Sequence, residues 1–147
     1  MKKLLIATLV ATVLTCLGAC GGWLESSDNG KLDGYWKLTR IDTLATGHLL
    51  DLSKQSKFLA VQGKILMLTD RGDGSQFVFQ FSRTDSVLSV YDARLNNREV
   101  GDTLLTDAEA LRPFGFNNLK ERFIIEKLSG SRLVLSDGLL RLSFTKF

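Results

Sequence analysis

The stretch 76–83 restricts the fold more than any other part of the chain. Phe77, Phe79 and Phe81 alternate there with Val78, Gln80 and Ser82. A strand repeats every two residues and places all three rings on one face, whereas a helix would scatter them around its axis. An apolar strand face must be covered, either by a second layer or by a sheet that closes on itself. The neighbouring sequence offers the other strands, expected over 35–42, 57–62, 64–69, 87–91, 122–128, 132–135 and 139–144. Most connectors are short and turn-like: Gln62-Gly63, Thr84-Asp85, Ser129-Gly130 and Asp137-Gly138. Glycine in such a connector accepts the positive φ that a tight hairpin requires. In the last strand Leu140, Leu142 and Phe144 share one face, and Arg141, Ser143 and Thr145 the other. The single proline, Pro113, falls outside every expected strand. Short, evenly spaced strands joined by tight turns form a meander, and closing the meander removes the sticky edges. The expected fold is all-β: an antiparallel up-and-down barrel of about eight strands, with a sandwich as the other packing. The segment near 105–118 is expected to be short helix or irregular structure. Asp107 to Arg112 could form the helix, or the segment could lie across an open end of the barrel.

The first twenty residues read as an export signal. Lys2 and Lys3 are followed by an uncharged apolar stretch over 4–15. That stretch is shorter than the roughly 20 residues needed to span a bilayer as a helix. Leu17-Gly18-Ala19-Cys20 then resembles the lipobox of bacterial lipoproteins, in which cleavage precedes a cysteine that becomes acylated. The resemblance implies a signal peptide over 1–19, a lipidated tether over 20–31 beginning at Cys20, and a barrel domain over 32–147. Such lipoproteins carry three acyl chains. One chain gives marginal membrane binding and several give stable anchoring. The tether is rich in Gly, Ser, Asp and Asn, with Trp23 placed to sit at headgroup level. Cys16 leaves with the signal peptide, so no thiol remains for a disulfide, a metal or catalysis. The expected location is the cell envelope, in the outer membrane, because Gly21 is not the inner-membrane retention Asp of enterobacteria. After cleavage the chain carries 17 basic and 16 acidic residues, well interspersed. Nucleic-acid binding would leave a basic patch, and there is no run of Lys or Arg to form one.

Gly34-Tyr35-Trp36 at the start of the first expected strand resembles the Gly-x-Trp signature of the lipocalins (calycin-type barrels). The order of signal peptide, polar tether, Trp-x-Leu and a final strand Leu140 to Lys146 is similar to small lipocalin-like lipoproteins of Bacteroidetes. In the family the tryptophan packs under the closed end of the barrel, with a basic side chain from the end of the chain lying across it. The resemblance therefore implies that Trp36 closes the barrel together with Arg141, or alternatively Lys146.

Chemistry is sparse. His48 is the single histidine and stands in a polar loop after Gly47, with no cysteine nearby. No Gly-x-Ser-x-Gly elbow or phosphate-cradling loop accompanies it. Cysteine or multi-histidine metal sites are excluded by count, and no cofactor is expected. Asp70-Arg71-Gly72-Asp73-Gly74 contains Arg-Gly-Asp and two carboxylates, but it lacks the later ligands of a calcium loop. Its composition is that of a hairpin turn. The aromatic face is the feature closest to function. Trp36, Phe58, Phe77, Phe79, Phe81, Phe123, Leu140, Leu142 and Phe144 are the candidates to line one interior. An eight-stranded barrel is wide enough either to be filled by its own side chains or to hold one small ligand. Two functions follow. One is a membrane-anchored envelope lipoprotein whose barrel binds a small hydrophobic ligand. The other is a non-enzymatic structural or interaction lipoprotein, with a filled barrel that contacts another envelope protein, the region 92–101 being a plausible contact loop.

Overall fold

The computed structural model describes residues 27–147. The expected signal peptide, Cys20, Trp23 and most of the tether lie outside the described residues. Ten strands follow one another: β1 (Gly34–Thr43), β2 (His48–Asp51), β3 (Lys57–Gln62), β4 (Ile65–Asp70), β5 (Gln76–Arg83), β6 (Val87–Leu95), β7 (Thr103–Leu104), β8 (Glu121–Leu128), β9 (Arg132–Ser136) and β10 (Leu140–Lys146). Eight of them form the closed, antiparallel barrel β1-β3-β4-β5-β6-β8-β9-β10, with β10 returning to β1. The up-and-down barrel expected from the sequence is therefore the observed architecture. Two short strands are additional. β2 lies beside the second half of β1, and β7 pairs with the end of β6.

β3 and β5 coincide with the expected spans. β6 runs on to Leu95 through Asp92, whose φ of 55° accompanies a shift in the β5–β6 register. The β3–β4 turn is Gly63-Lys64 rather than Gln62-Gly63. The domain also begins earlier than residue 32. The Ser27 hydroxyl accepts from the Gly63 amide at 2.7 Å, and Asn29 Nδ2 donates to the Gly63 carbonyl at 2.7 Å. Asp33 receives Ser27 and Asn29 as donors. A 3-10 turn, Gly30–Leu32, then leads into β1. Residues 27–31, expected as tether, are thus pinned against the barrel.

One end of the barrel is sealed around Trp36. Its indole is fully buried and donates from Nε1 to the Leu32 carbonyl at 2.8 Å. The Lys146 ammonium sits 4.2 Å from the indole centroid and donates to the Asp33 carbonyl. Arg141 is not the closing cation. It points outward and holds Glu126 at 2.7 and 3.3 Å. The reason is parity: Leu142 and Phe144 of β10 face inward, so Lys146 shares their face and Arg141 has the opposite one. Gly34 makes the lysine's approach possible. Its φ is 123°, and a Cβ there would lie 2.7 Å from the ammonium nitrogen.

Candidate binding sites

Most of the aromatic residues singled out in the sequence meet inside. Trp36, Phe77, Phe79, Phe81, Phe123, Leu142 and Phe144 belong to one buried cluster, and Leu140 packs partly against it. Phe58 does not. Its register partner is Lys37, while Trp36 pairs with Leu59, so Phe58 lies on the outer face. It is buried there by other means. Tyr35 stacks on it at 4.7 Å, Phe147 packs edge-on at 5.1 Å, and the Arg71 guanidinium lies 4.7 Å from its ring. The same contact accounts for the Arg-Gly-Asp tripeptide. Arg71 is held on aromatic rings, Asp70 pairs with Lys57, and Asp73 accepts from Ser75 within a hairpin turn. Phe58 is out because Lys57 is in: the Lys57 ammonium is buried, paired with Asp70 and set 5.2 Å over the ring of Phe114.

The middle segment is short and helical, as expected, and lies across the open end of the barrel, one of the two placements the sequence allowed. A 3-10 segment, Glu109–Phe114, and the residues after it drop three apolar side chains into the end of the barrel opposite Trp36. Leu111, Phe114 and Phe116 are essentially inaccessible to solvent. Phe114 meets Phe77 edge-on at 6.0 Å; Phe116 packs against Phe79 at 5.6 Å and Phe123 at 4.9 Å. The reversal depends on Gly115, whose φ of 81° lies in the left-handed region and where a Cβ would run into Leu142 and crowd Ile41. We call this segment the stopper.

The stopper is tied down by a buried carboxyl. Glu121, at the start of β8, is 6% exposed. Its Oε2 accepts from the Asn117 amide at 2.9 Å and from the Asn118 amide at 3.4 Å. Its Oε1 is buried with no donor partner among the described residues. Burial, followed by a hydrogen bond shared with Asp137, pushes the Glu121 carboxyl up to about 7. Asp137 goes the other way. Burial acts to raise it, but the Leu140 and Leu139 amides, Glu121 and Asn117 outweigh that and hold it below the usual value. The pair therefore keeps one proton, on Glu121, through the acidic range.

The cavities described in the structure are open and lie outside the barrel. One, beside the 3-10 turn Gly30–Leu32, has mixed charge from Asp28, Lys64, Arg83 and Asp85. The other is a groove of about 400 Å³ on the wall, crossing β8, β9, β10 and β1. It is lined by Arg40, Lys127, Arg132 and Arg141, with Glu126 as its single acid and hydroxyls from Thr39, Ser143 and Thr145. His48 is exposed at the start of β2, and among the described residues no three His, Cys, Asp or Glu side chains gather as a metal site.

A family model described as a lipocalin-like domain matches residues 14–147. This chain belongs to the lipocalin-like domain family. Among solved structures, this lipocalin-like protein is similar to a lipocalin-like protein from Bacteroides uniformis, with 25% identity and a TM-score of 0.61, over 80% of this chain and all of that one. It shares its fold with an uncharacterized protein from Bacteroides eggerthii, at 16% identity and a TM-score of 0.57, over 79% and 99% of the two chains. No curated protein matches it in sequence. The Gly34-Tyr35-Trp36 reading of the fold thus stands.

Proposed function

We propose that this lipocalin-like protein is a non-enzymatic lipoprotein of the cell envelope, anchored through Cys20, whose filled barrel acts through its outer surface on another envelope component. The observation that carries the reading is the stopper. An eight-stranded barrel has interior room for one small ligand or for its own side chains. Here Leu111, Phe114 and Phe116 occupy that room. Anchoring is supported by Leu17-Gly18-Ala19-Cys20 behind a basic and apolar leader, and an outer-membrane position by Gly21 after the cysteine. The scarcity of nucleophile and base supports the non-enzymatic reading. A small hydrophobic ligand inside the barrel is the second reading, favoured by membership of the family. It requires Phe114 and Phe116 to withdraw on the Gly115 turn.

Native mass spectrometry of residues 27–147 with a lipid extract of the source cells separates the two readings. The filled-scaffold reading expects an apo mass for the native sequence and a gain of hydrophobic mass for Phe114→Ala, which opens the space. A stoichiometric adduct on the native sequence, lost in Phe79→Lys, would overturn it. For the anchor, labelled palmitate should enter the full-length protein in cells and fail to enter Cys20→Ser. Equal labelling of both would remove Cys20 from the proposal.

A further inference from the structure

We propose that the groove across β8, β9, β10 and β1 is a binding site for an acidic polysaccharide, one carrying carboxylate or sulfate groups along its chain. The proposal rests on the reading that the protein works through its outer surface, and names the surface and the partner class.

Four adjacent strands each contribute one cation to the same face: Lys127 from β8, Arg132 from β9, Arg141 from β10 and Arg40 from β1. Register explains the alignment. Arg40 stands opposite Ser143, Ser143 opposite Val134, and Val134 opposite Lys127, while Arg132 stands opposite Thr145. Neighbouring strands lie about 4.8 Å apart, so the row spans roughly 14 Å across the sheet. Two of the cations are held in place by acids. Arg141 grips Glu126 with two hydrogen bonds, and Arg40 meets Asp42 at 2.9 Å. The other two, Lys127 and Arg132, are exposed and have no acidic partner among the described residues.

The groove's charge is concentrated against a nearly neutral background. Four cations meet two carboxylates, Glu126 in the lining and Asp42 on Arg40, a surplus of two. The described residues as a whole carry 17 basic and 15 acidic side chains, a surplus of two. The groove therefore accounts for the whole surplus, and the remainder of the described residues is balanced in charge. A concave site lined by one sign of charge focuses the field and raises the local concentration of oppositely charged ligand.

The rest of the lining narrows the class. Arg forks match carboxylate and sulfate oxygens in pairs. The Ser143 and Thr145 hydroxyls suit the hydroxyl groups of a sugar, as both donors and acceptors. An acidic peptide would be captured most readily by adding a strand to a free edge. The groove offers only a three-residue edge, because β9, β10 and β1 are paired on both sides and β8 lacks a neighbour on the β6 side only over 126–128. A flat bilayer of anionic lipid would not follow a concave wall. The one aromatic residue in the lining, Phe144, is buried in the barrel and offers no face on which a nucleic-acid base would stack.

The test uses residues 27–147. This stretch closes its own barrel, and the Bacteroides uniformis structure is covered completely by 80% of this chain. Calorimetric titration with oligogalacturonate should show binding that weakens about tenfold between low and moderate salt, as screening shortens the reach of the charges. Neutral dextran should not bind. Lys127→Glu with Arg132→Glu should abolish binding, and Lys127→Gln with Arg132→Gln should weaken it. Neither residue holds a packing contact in the core, and an unchanged Trp36 emission will verify the fold. Absence of oligogalacturonate binding, equal binding by the charge-reversed variant, or preferential binding of an acidic peptide or phosphatidylglycerol vesicles would each overturn the proposal. A hydrophobic adduct in the barrel would instead defeat the filled-scaffold reading, so the two failures are distinguishable.

Discussion

Replacing Glu121 by glutamine should change how stability depends on pH. An ordinary glutamate titrates at 4.5, and in the folded protein Glu121 titrates at about 7. The folded state therefore holds this proton more tightly than the unfolded chain. Between those two values the folded state carries more protons, so stability must fall as pH rises. The favourable contribution is complete below pH 4.5, is lost across the window, and is gone above about 7. A separation of that size corresponds to roughly 3 kcal/mol. The substituted side chain keeps a carbonyl for the Asn117 and Asn118 amides and offers an amide to Asp137, but it does not titrate. Urea unfolding of residues 27–147 followed by fluorescence reads the effect directly, because Trp36 is the one tryptophan in that stretch. The native sequence should lose about 2.5 kcal/mol from about pH 5 to about pH 8, and Glu121→Gln should lose much less. A flat profile for the native sequence, or an equal slope in the variant, would show that Glu121 is an ordinary solvated carboxylate and that the stopper is tied down some other way.

Three further outcomes follow from the packing. Lys146→Met should cost about 1 kcal/mol through loss of the cation over the indole and shift Trp36 emission, whereas Arg141→Met should leave that emission unchanged. Gly115→Ala should destabilise by about 1–3 kcal/mol, read as a lower urea midpoint, since φ at 81° and the closeness of Leu142 both oppose a Cβ. Phe58→Ala should cost about 3 kcal/mol, measured by thermal unfolding. It should also leave the near-ultraviolet dichroism of the interior rings largely intact, because Phe58 is on the outside.

The fold was legible where alternation and turns agreed. Phe77, Phe79 and Phe81 defined the inward face of β5, and Ser129-Gly130 and Asp137-Gly138 marked real hairpins. β2 was invisible because His48 to Asp51 are all exposed, so burial left no period to read. Phe58 runs against the expectation that a large ring in a barrel strand faces inward. The better signal was its neighbours: Leu59 and Val61 are more apolar than Ala60 and Gln62, which places Lys57 inside. The choice between Arg141 and Lys146 was also decidable from the alternation of Leu140, Leu142 and Phe144, since only Lys146 is in phase with them. The stopper was the least readable part. Leu111, Phe114 and Phe116 follow neither a strand nor a helix period, and their burial is created by the barrel they close. The wall groove shared that obscurity, because its cations are scattered through the sequence and gathered only by pairing across strands.

The seam between β1 and β10 closes the barrel. The Thr39 hydroxyl donates to the carbonyl of Ser143, 104 residues away, and the lysine that covers Trp36 stands at the end of β10. Contacts between such distant parts are slow to find, and these require the last strand of the barrel to reach the first. Without that pairing β1 and β10 would each present a raw edge, and the indole would lack its covering cation. Closure therefore hangs on one strand pair, and a barrel without β10 paired to β1 would have to remain open.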